Sequence, residues 1–263
     1  MAYETITATI EHGIGRLTLD QPDKLNPLGT NTLQDIIDAT TWFNKENVSV
    51  VIVSGNGRAF TAGFDLREFT NTDSTGKDGA VLGREMAEAV DRMKPVTIAS
   101  LHGYCIGGGV VLASACDLRI ASENTTFSIP EVDLGIPLAW GGIPRLVREI
   151  GPAMTKELVM TCRPFDAEEA KNLGFINRVV KDADLESQTM NMAEAIRKRP
   201  QPVIETTKHQ VRAAADDLAS PKNEWVGEML IAAANKDSVA RSEAQNYLDE
   251  KSGRKMPNKL KTS

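Results

Sequence analysis

Apolar and polar positions alternate from Tyr3 to Ile10 and again from Gly15 to Leu19, with His12-Gly13 between them. That period of two, broken by a turn pair, predicts a β-hairpin. Over Thr30–Asn44 the period changes to that of a helix, carried by Leu33, Ile36, Ile37 and Trp42 behind Thr and Asn capping candidates. Ser49–Ser54 is a short apolar, β-branched run of the kind found in a strand buried on both faces. Asn71–Gly79 is polar and carries glycine, and is expected to be a mobile loop. A helix over Ala80–Met93, a buried strand over Val96–Leu101, a glycine-opened helix over Gly107–Cys116 and a strand over Leu118–Ala121 follow. This alternation of strand and helix predicts βαβ crossovers and an α/β fold. Pro144–Ile150, Ala153–Thr161 and Ala167–Leu173 read as short helices, and Ile176–Val180 as a further strand. From Ala183 onward the pattern is helical or polar. Pro200 and Pro202 divide a core over residues 1–199 from a helical C-terminal region over 200–263.

The chain's 263 residues suit one large domain, or one domain with a small appendage. A net charge of −6 argues against a dedicated nucleic-acid binder, though not against a local basic patch for a phosphorylated ligand. The three cysteines, Cys105, Cys116 and Cys162, are odd in number and far apart, which argues against a disulfide framework and for a cytoplasmic location. The opening MAYETITATIEHGIG lacks the basic and apolar regions of a secretory signal. Pro95–Cys116 is free of formal charge and long enough for a membrane span, but its proline, histidine and glycines fit a buried strand, turn and helix better.

Three stretches carry candidate chemistry. In HGYCIGGGVVLASACDLRI, His102–Ile120, a strand ends at Gly103 and Gly107-Gly108-Gly109 open a helix. Backbone N–H groups at such a start have no intrahelical partner and sit at the positive end of the helix dipole. They can receive an anion or a developing oxyanion, although a glycine run also suits close helix–strand packing. In AFTAGFDLREF, Ala59–Phe69, Ala62-Gly63 follow a strand end and again expose backbone amides. Two such loops, each after a parallel strand, suggest an oxyanion hole at the carboxyl edge of a sheet. In FSIPEVDLGI, Phe127–Ile136, Glu131 stands among apolar residues and is either an acid/base of raised pKa or a capping residue. Trp140 lies in the glycine-rich GIPLAWGGIPRL that follows and could be core or pocket wall. Phosphate-loop, HExxH, GxSxG and GxGxxG signatures are missing, and His12, His102 and His209 have no metal-ligand spacing with the cysteines.

The ordered set AFxAGxDLxE, GxxxGGGxxLxxxCDxRIA, FxxPExxLG and GGxxRL resembles the crotonase superfamily, the enoyl-CoA hydratases and isomerases, from about Tyr3 to Val180. The resemblance implies a spiral of ββα units with a C-terminal helical trimerisation region, assembled as a homotrimer or hexamer. It implies an acyl-CoA thioester as substrate, with coenzyme A as part of that substrate, and no metal or redox cofactor. By motif position the oxyanion donors would be the N–H groups of Phe64 and Gly108, with Glu131 as acid/base. The coenzyme A grip would involve Lys24, Leu25, Ala62, Gly63, Asp65, Leu66 and Arg67. Tyr104, Gly107, Val111 and Trp140 would border the substrate.

The chain departs from the hydratase pattern at one position. Hydratases resembling it use two glutamates, and the first of these falls here on Val111, which offers neither acceptor nor proton. One carboxylate suits a 1,3-proton shift along an enoyl thioester more naturally than the addition of water. The expected activity is therefore isomerase-like. Hydration by Glu131 alone and non-catalytic acyl-CoA binding are the alternatives. An RNA-binding role is disfavoured by the acidic balance.

Overall fold

The computed structural model describes residues 3–65, 68, 79–221, 225–234 and 236–251. Two strands, β1 (Ile6–Glu11) and β2 (Ile14–Leu19), form the expected hairpin, pairing antiparallel from Ile6↔Leu19 to Glu11↔Ile14. Four further strands extend that sheet in parallel: β3 (Val50–Gly55), β4 (Val96–Leu101), β6 (Leu118–Ser122) and β9 (Arg178–Val180), in the order β1-β2-β3-β4-β6-β9. A second sheet of β5 (Tyr104–Ile106), β7 (Thr126–Ser128) and β8 (Phe165–Asp166) stands apart. The hydrophobic pattern did not announce it, because strands of two or three residues are too short for a period to emerge.

The central sheet is covered on both faces, which is why β3 reads as an unbroken apolar run. Val51 and Val53 point into one core with Leu17, Leu33, Ile36, Phe43, Phe60 and Met86. Val50 and Ile52 point into the other with Ile14, Ile98, Ile120 and Leu185. The first core is closed by α1 (Thr30–Phe43), α2 (Gly79–Asp91) and α3 (Gly108–Ala115). The second is closed by α6 (Leu185–Arg197).

Two of the expected short helices form one run, α4 (Gly142–Thr161), interrupted at Gly151 (φ 75°, ψ 165°) before Pro152. The break lies where the sequence places it, since proline cannot complete the helical ladder. Beyond α5 (Ala167–Asn172) and α6 come α7 (Gln201–Leu218), α8 (Trp225–Ala234) and α9 (Ser238–Lys251). Helix α7 buries none of its residues, and Val203, Val211 and Leu218 lie exposed along it. It is fastened through Lys208, whose Nζ donates to Asp117 at 2.7 Å and to the Pro95 carbonyl at 2.9 Å. Of the sequence expectations, residues 71–78 of the loop and Leu66 and Arg67 of the coenzyme A grip lie outside the described residues.

Candidate active site

Two chain segments meet where β3 and β4 give way to loops. Thr61 joins them. Its N–H donates to the Tyr104 carbonyl at 3.0 Å, its carbonyl accepts from Ile106 N–H at 3.2 Å, and it bridges in parallel to Cys105. Its hydroxyl donates to the Asn26 carbonyl and accepts from Gly63 N–H at 3.0 Å. A third segment, the QPDKLNPL stretch, is held against these by Asn26, whose amide donates to the carbonyls of Asn56, Ala59 and Phe60. The Leu25 carbonyl accepts from Ala62 N–H at 2.9 Å and the Gly63 carbonyl from Leu28 N–H at 2.8 Å. Leu25 and Asn26 are both left-handed (φ 63° and 52°), a conformation that asparagine tolerates better than leucine.

Neither Asn26 nor Thr61 was among the residues the sequence singled out. The readable signal was a polar residue in the middle of an apolar motif: Asn26 is 1% exposed, and a buried amide must be hydrogen-bonded.

Each glycine of the 107–109 triplet has its own spatial reason. Gly107 adopts φ 52°, and a Cβ there would come within 2.6 Å of Glu131 Oε1. A Cβ on Gly108 would come within 2.3 Å of the Trp140 ring, and one on Gly109 within 2.4 Å of Thr61 Cγ2. Gly63, at φ 88°, lies so close to the same turn that a Cβ would stand 2.6 Å from the Ile106 carbonyl and 3.7 Å from Gly108 N. The turn that leads into Phe64 is thus packed against the start of α3 at Gly108. Among the described residues, neither Phe64 N–H nor Gly108 N–H has a recorded acceptor.

Glu131 sits in the turn after β7, where Pro130 accepts from Leu134 N–H and Glu131 from Ile136 N–H through their carbonyls. Its side chain caps no helix; it faces Gly107. Oε2 is buried and has no hydrogen-bond partner. Loss of solvent around the carboxyl outweighs a backbone hydrogen bond and pushes its pKa up to about 7. A carboxyl poised near neutrality can take up and return a proton within one turnover. The Cys105 thiol is raised by burial, so no thiolate is available beside it.

Next to the glycine that faces Glu131, Gly108 faces Trp140. Trp140 packs its ring edge-on to Phe64 (centroids 5.9 Å apart, planes at 83°). Its backbone is left-handed (φ 59°), which for a bulky residue costs on the order of 1–2 kcal/mol. Arg145, itself buried, holds that conformation: Nη1 donates to the carbonyls of Trp140 (3.3 Å) and Gly141 (3.0 Å), while Nη2 reaches Asp91 of α2 at 3.4 Å.

The remaining expected positions divide. Gly63, Ala62 and Leu25 lie in the bonded loops, and Asp65 lies beside Gly29 at the start of α1. There Glu68 also caps the helix by accepting from Thr30 N–H at 2.9 Å. Lys24 and Tyr104 are exposed. Val111 is only 1% exposed and is packed where a Cβ on Gly142 would be 2.9 Å from its Cγ2.

A model of a family described as enoyl-CoA hydratase/isomerase matches residues 9–254. The chain belongs to the enoyl-CoA hydratase/isomerase family. Its relatives include a crotonyl-CoA hydratase from Syntrophomonas wolfei, 35% identical over 211 residues that make up 79% of this chain and 81% of that one. They also include a peroxisomal Delta(3,5)-Delta(2,4)-dienoyl-CoA isomerase from Arabidopsis thaliana, 33% identical over 208 residues, 73% of this chain and 75% of that one. Among solved structures, an enoyl-CoA hydratase/isomerase from Xanthobacter autotrophicus Py2 superimposes with a TM-score of 0.86 at 26% identity, covering 96% of this chain and 95% of the other. The fold is therefore that of the crotonase superfamily, α/β with C-terminal helices, and the protein is an acyl-CoA enzyme of the hydratase/isomerase type. Among the described residues no helix is long and apolar enough to cross a membrane, and no set of three His, Cys, Asp or Glu side chains gathers as metal ligands.

Proposed function

We propose that the protein moves the double bond of an enoyl-CoA thioester by a 1,3-proton transfer through Glu131. The observation that carries the reading is the lone carboxyl beside Gly107, with a buried, unpartnered Oε2 and a pKa pushed up to about 7 by desolvation, and an apolar, fully packed Val111 where a second acid would stand. In this mechanism the thioester oxygen accepts hydrogen bonds from Phe64 N–H and Gly108 N–H. The Glu131 carboxylate removes a proton from Cα of a 3-enoyl thioester, and the electron pair spreads over the dienolate. The same proton returns at Cγ, leaving the double bond between Cα and Cβ. Preorganised amides in a site closed to water stabilise that charge without reorienting.

Coenzyme A enters as part of the substrate. Leu25, Ala62, Gly63 and Asp65 lie along its path, and Lys24 is an exposed cation for a phosphate. The apolar residues exposed on α7 fit an interface with further copies of the chain, as a homotrimer or hexamer.

A second reading, hydration of a 2-enoyl-CoA by Glu131 alone, is favoured by the 35% identity to a protein named crotonyl-CoA hydratase. Parallel assays with a 3-enoyl-CoA and a 2-enoyl-CoA, read by product mass, separate the two. Unchanged mass with a shifted double bond is the expected result. Gain of one water from the 2-enoyl substrate would replace the isomerase by the hydratase.

A further inference from the structure

Three concessions in the sequence serve one indole ring. Trp140 keeps a left-handed backbone (φ 59°) that a bulky side chain disfavours, with Arg145 bonded to its carbonyl. Gly83 occupies the interior of α2, where alanine would make a better helix, and a Cβ there would lie 1.9 Å from the ring. Gly108, at the start of α3, would bring a Cβ to 2.3 Å from the opposite part of the indole. The Phe64 side chain follows the same logic: it meets the Trp140 ring edge-on, and a Cβ on Gly79 would be 2.8 Å from its Cζ. Core packing alone does not require a large aromatic in a strained conformation with two glycines hollowed out to receive it. Smaller apolar side chains in relaxed geometry would fill the same volume. Strain held in place by the surrounding structure points to function.

The position of the ring says which function. It rests on Gly108 and Phe64, the residues whose amides would hold the thioester oxygen, and Gly108 is next in the chain to Gly107, which faces Glu131. On that reading, a carbonyl held there would have Glu131, beside Gly107, and the Trp140 and Phe64 rings, beside Gly108, as its nearest side-chain neighbours. Resting on the acyl-CoA reading given above, we propose that the Trp140 ring, seated between Gly83 and Gly108, is the end wall of the acyl site and restricts the enzyme to short acyl groups. Gly83 is then part of the specificity device, because any larger residue there would displace the wall.

Binding of butyryl-CoA and dodecanoyl-CoA to the full-length protein, measured by calorimetry, tests this. The wild type is expected to bind butyryl-CoA at least 10-fold more tightly than dodecanoyl-CoA. Trp140→Ala is expected to shift that ratio at least 10-fold toward the long chain, because each methylene newly admitted to an apolar site adds roughly a factor of four. Trp140→Phe, which retains a ring of smaller reach and protects the test if the alanine variant does not fold, is expected to shift the ratio in the same direction by less. A wild type that binds both thioesters equally, or variants whose two affinities fall in parallel, would overturn the wall. If folded wild-type protein binds neither thioester, the acyl-CoA reading falls with it. Tight butyryl-CoA binding with a ratio indifferent to residue 140 removes the wall alone.

Discussion

Two ionisable side chains place buried polar atoms at opposite ends of α3, and they are handled in opposite ways. At the C-terminal end, Arg119 is 3% exposed and thoroughly satisfied. It donates to the carbonyls of Phe175 at 2.5 Å and Cys116 at 2.8 Å, pairs with Glu149 at 2.6 Å and lies over the Phe175 ring at 5.2 Å. At the N-terminal end, Glu131 has a buried oxygen with no partner at all. A buried polar group left without a partner costs free energy, and folds keep such groups where they do chemistry. The Arg119 site is what burial of a charge looks like when the purpose is structural. Glu131, with an oxygen left unpaired, is the contrasting case, and the proposed proton transfer would account for it.

This contrast can be broken at either end. The largest expected effect is on turnover: Glu131→Gln should lower kcat by about 10²–10⁴-fold, the usual worth of a general acid or base, with acyl-CoA affinity held within a few-fold. Turnover near wild type would remove Glu131 from the mechanism. Next in size is Arg119→Met, which leaves Glu149 facing a neutral chain and several carbonyls without a donor. A loss of about 3–5 kcal/mol in denaturant unfolding is expected, the cost of breaking a buried pair from one side.

The third effect sharpens the comparison, because the same Gln substitution that stops turnover should strengthen the fold. The Glu131 pKa is raised from 4.5 to about 7 on folding. Between those values the folded protein keeps the proton and the unfolded chain has lost it, so wild-type stability falls as pH rises through this window. Above about pH 7 the folded protein carries the full cost of the buried anion. Glu131→Gln should therefore be more stable than wild type at pH 8 by on the order of 3 kcal/mol, with the two converging near pH 4.5. Equal stabilities at both pH values would show that the carboxyl is solvated. The smallest effect is a profile rather than a loss. Because the carboxylate is the form that removes the proton, kcat/KM should rise with pH and reach half its plateau near 7. A midpoint near 4.5 would mean an unperturbed acid.

The order of strands and helices was legible in the sequence because hydrophobic periodicity is local: β3, β4 and β6 each show it, as do α1 and α2. The second sheet was not, since β5, β7 and β8 acquire their identity only from the partners they find. The candidate donors Phe64 and Gly108 and the candidate acid Glu131 were named from motifs, and Gly63, Gly107 and Pro130 lie in the turns beside them.

What the sequence determined by itself is the inventory: an α/β chain of the crotonase type, one glutamate where hydratases resembling it use two, and glycines at the turns. Only the tertiary structure decided what those glycines make room for. Gly107 accommodates Glu131, Gly108 and Gly83 accommodate Trp140, and Gly109 accommodates Thr61. It also decided that Asn26 and Thr61 bind three loops into one frame, and that Glu131 stays unpaired while Arg119 does not. The physical reason is range. Propensity and periodicity act over a few residues along the chain, whereas desolvation, hydrogen-bond satisfaction and the space for one more methyl group depend on atoms brought together from distant segments.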